Sequence, residues 1–320
     1  MKTLSQRTLQ AVFLLFGVCV LNFFLFHLSP GDPTNLYFGP KVKHATMDAL
    51  REQMGWDHPW YQQFGLWFSQ ILRGNLGFSW SNHRPVADIL KEAVPATLQL
   101  TGLALLLNVG LGCLVGIVAA TRAHRWTGKL MDYAALTLYS LPTFWLGLML
   151  ILLFSLKLQW LPASQMRSFY QIHPGLLARM LDRVRHLVLP VTVLGLTGAA
   201  ATFRYVRGHM IDVLQQDYIT QARAKGLPRR SVLLRHAFRN ALLPVVTLLG
   251  MYFPFLLGGA LIVEVVFAWP GMGRITYEAI FAKDYPVLMA TNLIAATMVI
   301  AGNLVADLLY RFIDPRIHLE

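Results

Sequence analysis

Residues 96–120 read ATLQLTGLALLLNVGLGCLVGIVAA, twenty-five residues without a charge. About 20 mostly apolar residues in a helix cross the hydrocarbon core of a bilayer, so this stretch alone argues for a membrane chain. Working outward, five further stretches have similar character: Leu9–Leu28, 133–156, 187–203, 242–263 and 287–309. The 187–203 stretch is the most diluted, by Thr192, Thr197 and several glycines. Composition agrees. The 320-residue chain is 55% hydrophobic and 14% charged, with a mean hydropathy of +0.49, whereas a soluble domain carries about 25% charged residues. The fold expected is an all-α polytopic membrane protein of about six transmembrane helices.

The formal net charge of +12 would suggest nucleic acid in a soluble protein. Here the basic residues fall between apolar runs and form no stripe with interleaved aromatics, so topology explains them. Arg122, His124, Arg125 and Lys129 follow the second stretch, and a segment 204–241 carrying Arg204, Arg207, Arg223, Lys225, Arg229, Arg230, Arg235 and Arg239 follows the fourth. Lys2 and Arg7 precede the first stretch, and Arg311 and Arg316 follow the sixth. Six spans put all four groups on one side, which the positive-inside rule makes cytoplasmic together with both termini. The segment between stretches three and four is discordant, because Lys157, Arg167, Arg179, Arg183 and Arg185 meet only Asp182. Its 176–186 portion reads as an amphipathic helix on the outer interface. The first stretch lacks a small-residue cleavage site and is longer than a signal-peptide core, so it reads as a retained span.

Three regions follow: 1–28, the amino terminus and first span; 29–95, an outer excursion; and 96–316, a core of five spans with the cytoplasmic loop 204–241. Within the excursion, 47–54 and 60–72 have helical spacing of apolar residues, and Gly74, Asn75 and Gly77 end the second run. Its many aromatics read either as an interfacial belt or as a docking surface for a partner, with Trp56, Trp60, Trp80 and the later Trp269 as candidates. Cys19 and Cys113 lie in apolar runs and read as packing residues. Pro142, Pro190, Pro244 and Pro254 sit in or at the start of spans. They read as packing kinks, with Pro142 and Pro254 also open to a reading as bending points for gating. Asn108, Asn292 and Asn303 read as inter-helix hydrogen-bonding groups. His27, Asp132, Glu264 and Asp307 lie near span ends, and no intramembrane chain of ionisable groups suggests a proton relay. The chain has no phosphate-cradling Gly-x-x-x-x-Gly-Lys-Ser/Thr run, no His-Glu-x-x-His and no Gly-x-Ser-x-Gly. Neither ATP hydrolysis nor intramembrane enzymology is indicated, and no cofactor or metal is implied.

The most informative segment is Asp217-Tyr218-Ile219-Thr220-Gln221-Ala222-Arg223-Ala224-Lys225-Gly226-Leu227-Pro228. Gly226 can take the left-handed backbone that ends a helix, and Pro228 suits the first turn of the next. The result is a helix–turn–helix elbow in which Ala222 and Ala224 allow close approach and arginines form a charged rim. Physically it could still be an ordinary basic loop. Its sequence, however, resembles the cytoplasmic loop of bacterial ABC importer permeases, often called the EAA loop, in the form found in the dipeptide, oligopeptide and nickel branch. His236-Ala237 and Arg239-Asn240-Ala241-Leu242-Leu243-Pro244 continue the resemblance. So do Pro30-Gly31-Asp32-Pro33, Leu141-Pro142-Thr143-Phe144-Trp145-Leu146, Glu264-Val265-Val266-Phe267 with Trp269-Pro270-Gly271-Met272-Gly273, and Asp314-Pro315-Arg316. Thr220-Gln221-Ala222 stands where the general loop has Glu-Ala-Ala, a departure that fits the peptide branch.

The resemblance implies an inner-membrane permease subunit of a binding-protein-dependent ABC importer of peptides or a related small solute. It would work with a second, similar permease, two ATP-binding subunits and a periplasmic binding protein. Asp217, Tyr218, Ala222, Arg223, Ala224, Lys225, Gly226 and Leu227 would form the coupling helix that an ATPase grips. The competing class, a stand-alone secondary transporter or channel, would call for internal repeats or intramembrane charges, and neither is evident. If the elbow has the proposed shape, Gly226→Val inserts normally but loses most ATP-coupled uptake, since a β-branched residue resists a left-handed turn. Uptake at the unsubstituted rate, measured beside membrane expression, would refute that shape.

Overall fold

The computed structural model describes residues 4–28, 58–168, 175–238 and 260–313. The regular elements of the described residues are helices: α1 (Leu4–His27), α2 (Trp60–Leu72), α3 (Val86–Thr121), α4 (Trp126–Ser140), α5 (Thr143–Leu150), α6 (Leu176–Leu214), α7 (Asp217–Ala224), α8 (Arg229–Ser231), α9 (Leu261–Val266), α10 (Met272–Ala282) and α11 (Tyr285–Ile313). Wider π-type turns extend α5 over Ile151–Lys157 and α8 over Val232–Phe238. Among the described residues, four helices are long and apolar enough to cross a membrane: α1, α3, α6 and α11. The bent pair α4–α5 makes a fifth if it is counted as one span. The expected stretch 242–263 lies outside the described residues except for its last four, as do 47–54, Trp56 and Pro254.

Three expectations are corrected. Stretch 133–156 is not one continuous helix, because α4 and α5 meet at 101°. Pro142 causes the corner: its ring disfavours the helical region for the preceding residue, and Leu141 is extended at φ −75°, ψ 131°. Residues 176–186 are not a separate interfacial helix but the first turns of α6, which passes through Pro190 without ending. Its charges there are used locally, Arg183 Nε donating to Gln99 Oε1 (2.7 Å) and Asp182 accepting from the Ser168 amide (2.9 Å) and hydroxyl (2.7 Å). Finally, α3 begins at Val86, ten residues before the uncharged run. A polar first three turns containing Asp88, Lys91 and Glu92 hid that start from hydropathy.

The centre of the molecule is the contact between α3 and α6. These helices run parallel, and glycines on each admit the other. A Cβ added to Gly112 would lie 2.6 Å from Cβ of Thr202, and one added to Gly116 would lie 2.9 Å from Cβ of Val206. In return, Gly195 and Gly198 of α6 sit against Leu107 and Asn108. Apolar lipid supplies no hydrophobic drive for helices to associate, so close backbone approach and buried polar bonds do the work. Thr202 Oγ1 donates to Asn108 Oδ1 at 2.7 Å inside this seam, the inter-helix role expected of Asn108. Asn292 has the same role, its amide donating to Asn22 Oδ1 (3.2 Å) and joining α11 to α1.

A second fixed point joins α3 to the reversal between α9 and α10. Glu264, fully buried, accepts from Thr97 Oγ1 (2.6 Å) and the Arg274 amide (3.1 Å), while Thr97 Oγ1 accepts from the Met272 amide (2.7 Å). Gly271 has no side chain with which to cap α10, so a carboxylate from the preceding helix and a hydroxyl from α3 satisfy the free amides of its first turn. A Cβ at Gly271 would strike that carboxylate, and one at Gly273 would lie 2.5 Å from Cα of Leu261. Beside it, Asp284 accepts from Ser79 Oγ (2.5 Å), Ser81 Oγ (2.7 Å) and the Ser81 amide (3.0 Å), tying the turn before α3 to the start of α11. On the opposite flank, α2 packs on α1 through aromatic rings, Phe23–Phe64 at 5.3 Å and Phe16–Phe68 at 5.6 Å. It ends as expected where Gly74 and Gly77 adopt φ of 79° and 86°.

Gly116→Ala should cost about 1–3 kcal/mol, the usual penalty of overpacking, and lower the thermal midpoint of the solubilised protein. Gly102→Ala, with open space around the added methyl, should cost nothing. Glu264→Ala orphans the Thr97 hydroxyl and a helix-terminal amide and should cost about 2–4 kcal/mol. A melting comparison of the three variants checks the ranking.

Candidate functional site

The elbow forms at the end of α6. Gln215 and Gln216 turn the chain, and α7 starts with Asp217 in its first turn, where a negative charge suits the helix dipole. It stops in a Schellman motif: Leu227 N–H donates to Ala222 O (3.3 Å) and Gly226 N–H to Arg223 O (3.0 Å). Gly226 sits at φ 76°, and Pro228 O accepts from the Ser231 and Val232 amides to begin α8. The expected helix–turn–helix shape is therefore present.

The two faces of α7 differ. Ile219 (0% exposed) and Ala222 (7%) turn inward, packing with Cys113 and Ala120 of α3, Val206 and Met210 of α6, and Val232 and Ala237 beyond the turn. Asp217, Tyr218, Arg223, Ala224, Lys225, Gly226 and Leu227 are exposed. Ala222 departs from the expectation that it meets another protein. Helical spacing puts it one turn after Ile219, so its small side chain lets the elbow lie close on α3 and α6. Between the elbow and the turn after α3 lies a cleft of about 660 Å³, lined by Arg122, His124, Arg125, Arg223, Leu214 and Leu227 among others.

The remaining candidates are dispersed. Trp60 is 56% exposed on α2, and Trp80 is half-buried with its ring edge-on to Phe26 (6.3 Å) and Tyr285 (5.7 Å). Trp269 cannot present a surface in this conformation. It is wholly buried, and its indole Nε1 donates to Ala96 O at 2.9 Å. Aromatic composition near a span end could not reveal this, since an interfacial tryptophan and one plugging a helix junction read alike.

Sequence reasoning placed Arg204 and Arg207 in a loop, but α6 continues to Leu214 and both are helical. Arg207 pairs with Asp132 of α4 at 2.8 Å. Arg204 lies over the Tyr139 ring, 5.6 Å from its centroid, beside a recess of about 350 Å³ lined by Tyr139, Ala201, Arg204 and Tyr205. Glu264 was also missed as a structural centre. Its signal was a lone carboxylate at the edge of an apolar run, followed by two glycines that make room for it.

The sequence compares closely with known transport proteins. Residues 112–319 match the family described as binding-protein-dependent transport system inner membrane component, and residues 1–101 match the amino-terminal family of the same membrane components. Among curated relatives, the oligopeptide transport system permease protein AppB of Bacillus subtilis strain 168 is 36% identical over 313 residues, 98% of either chain. The glutathione transport system permease protein GsiC of Escherichia coli K12 is 39% identical over 315 residues, again 98% of each. GsiC of Shigella dysenteriae serotype 1 gives the same figures. A match over the whole length, on a chain with several apolar helices, makes this a multi-pass inner-membrane transport subunit, not an enzyme. The chain belongs to the family of binding-protein-dependent transport system inner membrane components, the permeases of ABC importers.

Proposed function

We propose that this chain is one of two similar permeases that together form the pathway of a peptide importer, with oligopeptides or a small peptide such as glutathione as solute. A periplasmic binding protein delivers the solute and two separate subunits hydrolyse ATP. Both termini are cytoplasmic, and the elbow is the cytoplasmic contact with one ATPase. The carrying observation is the two-faced α7. Its inner face is buried on α3 and α6, while Asp217, Tyr218, Arg223, Ala224, Lys225, Gly226 and Leu227 stand exposed. A short helix fixed on one side and bare on the other suits a lever, because force applied to the bare side passes directly into the two central spans. Whole-length similarity to permeases named for oligopeptide and glutathione transport supports the solute class. Exposed Trp60 and half-buried Trp80, on the face opposite the elbow, are the proposed contacts for the binding protein.

Purification of the tagged chain from its native host should recover an ATP-hydrolysing subunit. The double substitution Arg223→Glu with Lys225→Glu should lower that recovery at least about tenfold, equivalent to roughly 1.4 kcal/mol of binding, without reducing the yield of the permease. Recovery of the chain with no ATPase, or solute transport by the chain alone in liposomes without ATP, would refute the assignment.

A further inference from the structure

The depth of Arg204 can be read from the register of α3 and α6. The space at Gly116 is filled by Val206 and the carbonyl of Phe203, so Arg204 is level with Gly116. Arg122, where α3 turns, lies six residues further on, or about 9 Å at 1.5 Å per residue. Arg204 thus lies short of the end of α3, within α6, a helix long and apolar enough to cross a membrane. Its Cβ tilts toward the amino terminus of α6, carrying the guanidinium still further from that end and onto the Tyr139 ring. Arg207, one turn nearer the end, is neutralised by Asp132. No carboxylate pairs with Arg204 among the described residues, yet the residue is exposed. Tyr139 (55% exposed) and Tyr205 (51%) stand beside it at the edge of the recess.

An arginine in a membrane-crossing helix is costly against lipid, and such residues face a bundle interior or a water-filled cavity. A concave recess, two exposed tyrosines and a guanidinium with no carboxylate partner among the described residues form a polar, anion-attracting surface. Resting on the importer reading above, we infer that this face lines the solute pathway, and that Arg204, braced by the Tyr139 ring, receives the carboxylate of a peptide passing through. Guanidinium matches carboxylate geometry with paired N–H donors, and stacking on an aromatic face pre-orients it.

Two measurements on the complete transporter in lipid nanodiscs, with its binding protein, test this. First, Ala201→Cys should react with a charged, water-soluble methanethiosulfonate, above the background from buried Cys19 and Cys113. Failure to react would place the face against lipid or protein and overturn the inference. Second, reconstituted into liposomes, uptake is compared for a transported tripeptide and its carboxy-terminal amide, both at saturating binding protein. Arg204→Gln should lower uptake of the free acid at least tenfold and change that of the amide less than twofold, and Arg204→Lys should restore much of the acid uptake. Equal uptake of the acid by variant and unmodified complex, or equal loss for acid and amide, would overturn it. If the unmodified complex takes up no peptide at all, the solute assignment itself has failed, a result distinct from either of these.

Discussion

Close approach of α3 and α6 is the constraint on which the remaining structure depends. Four glycines, two on each helix, hold the backbones nearer than any larger residue would permit, and the buried Thr202–Asn108 bond lies within that seam. In water such a contact would gain from burying apolar area. In lipid it gains chiefly from dispersion and from satisfying polar groups, so shape matters more than hydrophobicity. The parallel direction of the two helices matters too, because it brings their far ends together where α7 must dock.

Anchors at the two ends of α3 give this seam its mechanical meaning. Toward its amino-terminal part, Thr97 and Ala96 receive Glu264, Met272 and Trp269 from the α9–α10 reversal. Toward its carboxyl end, Cys113 and Ala120 receive Ile219 and Ala222 of the elbow. One helix therefore has fixed partners at both ends, each made of fully buried groups. Packed cores shift between discrete arrangements more readily than they deform. In the proposed importer, a displacement at the elbow would therefore move α3 and α6 together. The α4–α5 corner at Leu141–Pro142 interrupts backbone continuity between the paired Asp132 and the cluster around Leu146 and Phe267.

Some of this was legible from sequence and some was not, for physical reasons. Hydropathy found the apolar lengths of α1, α3, α6 and α11 because lipid imposes composition directly. The elbow was legible because Gly226 and Pro228 restrict backbone torsion locally. Hydropathy missed the polar beginnings of α3 and α6, since a helix need not stop where the membrane does. It also could not distinguish a kink from a right-angled corner at Pro142: the ring forbids one conformation of Leu141, and tertiary packing chooses among those left. Ala222 and Trp269 were misjudged for a related reason. Their residue types suit a partner surface as well as a core, and only the neighbours decide. Gly112 and Gly116 carried a small-x-x-x-small signal that names a contact face without naming the partner helix.

Polar groups in this chain divide by how they are neutralised, and the division separates scaffold from pathway. Glu264, Asp284, Asn108 and Thr202 are buried with their hydrogen bonds made inside the chain. Removing any one leaves an unsatisfied partner in an apolar medium, so these positions are held by stability. Arg207 is held by Asp132 at 2.8 Å, although its Nε is buried without a hydrogen-bond partner among the described residues. Arg204 differs, because its side-chain partner among the described residues is the face of the Tyr139 ring, which attracts a cation yet leaves the guanidinium N–H donors available. A group with donors to spare, on a surface with room beside it, fits interaction with something that comes and goes. Beside buried groups that hold helices together, that makes Arg204 the point where solute chemistry enters the proposed pathway.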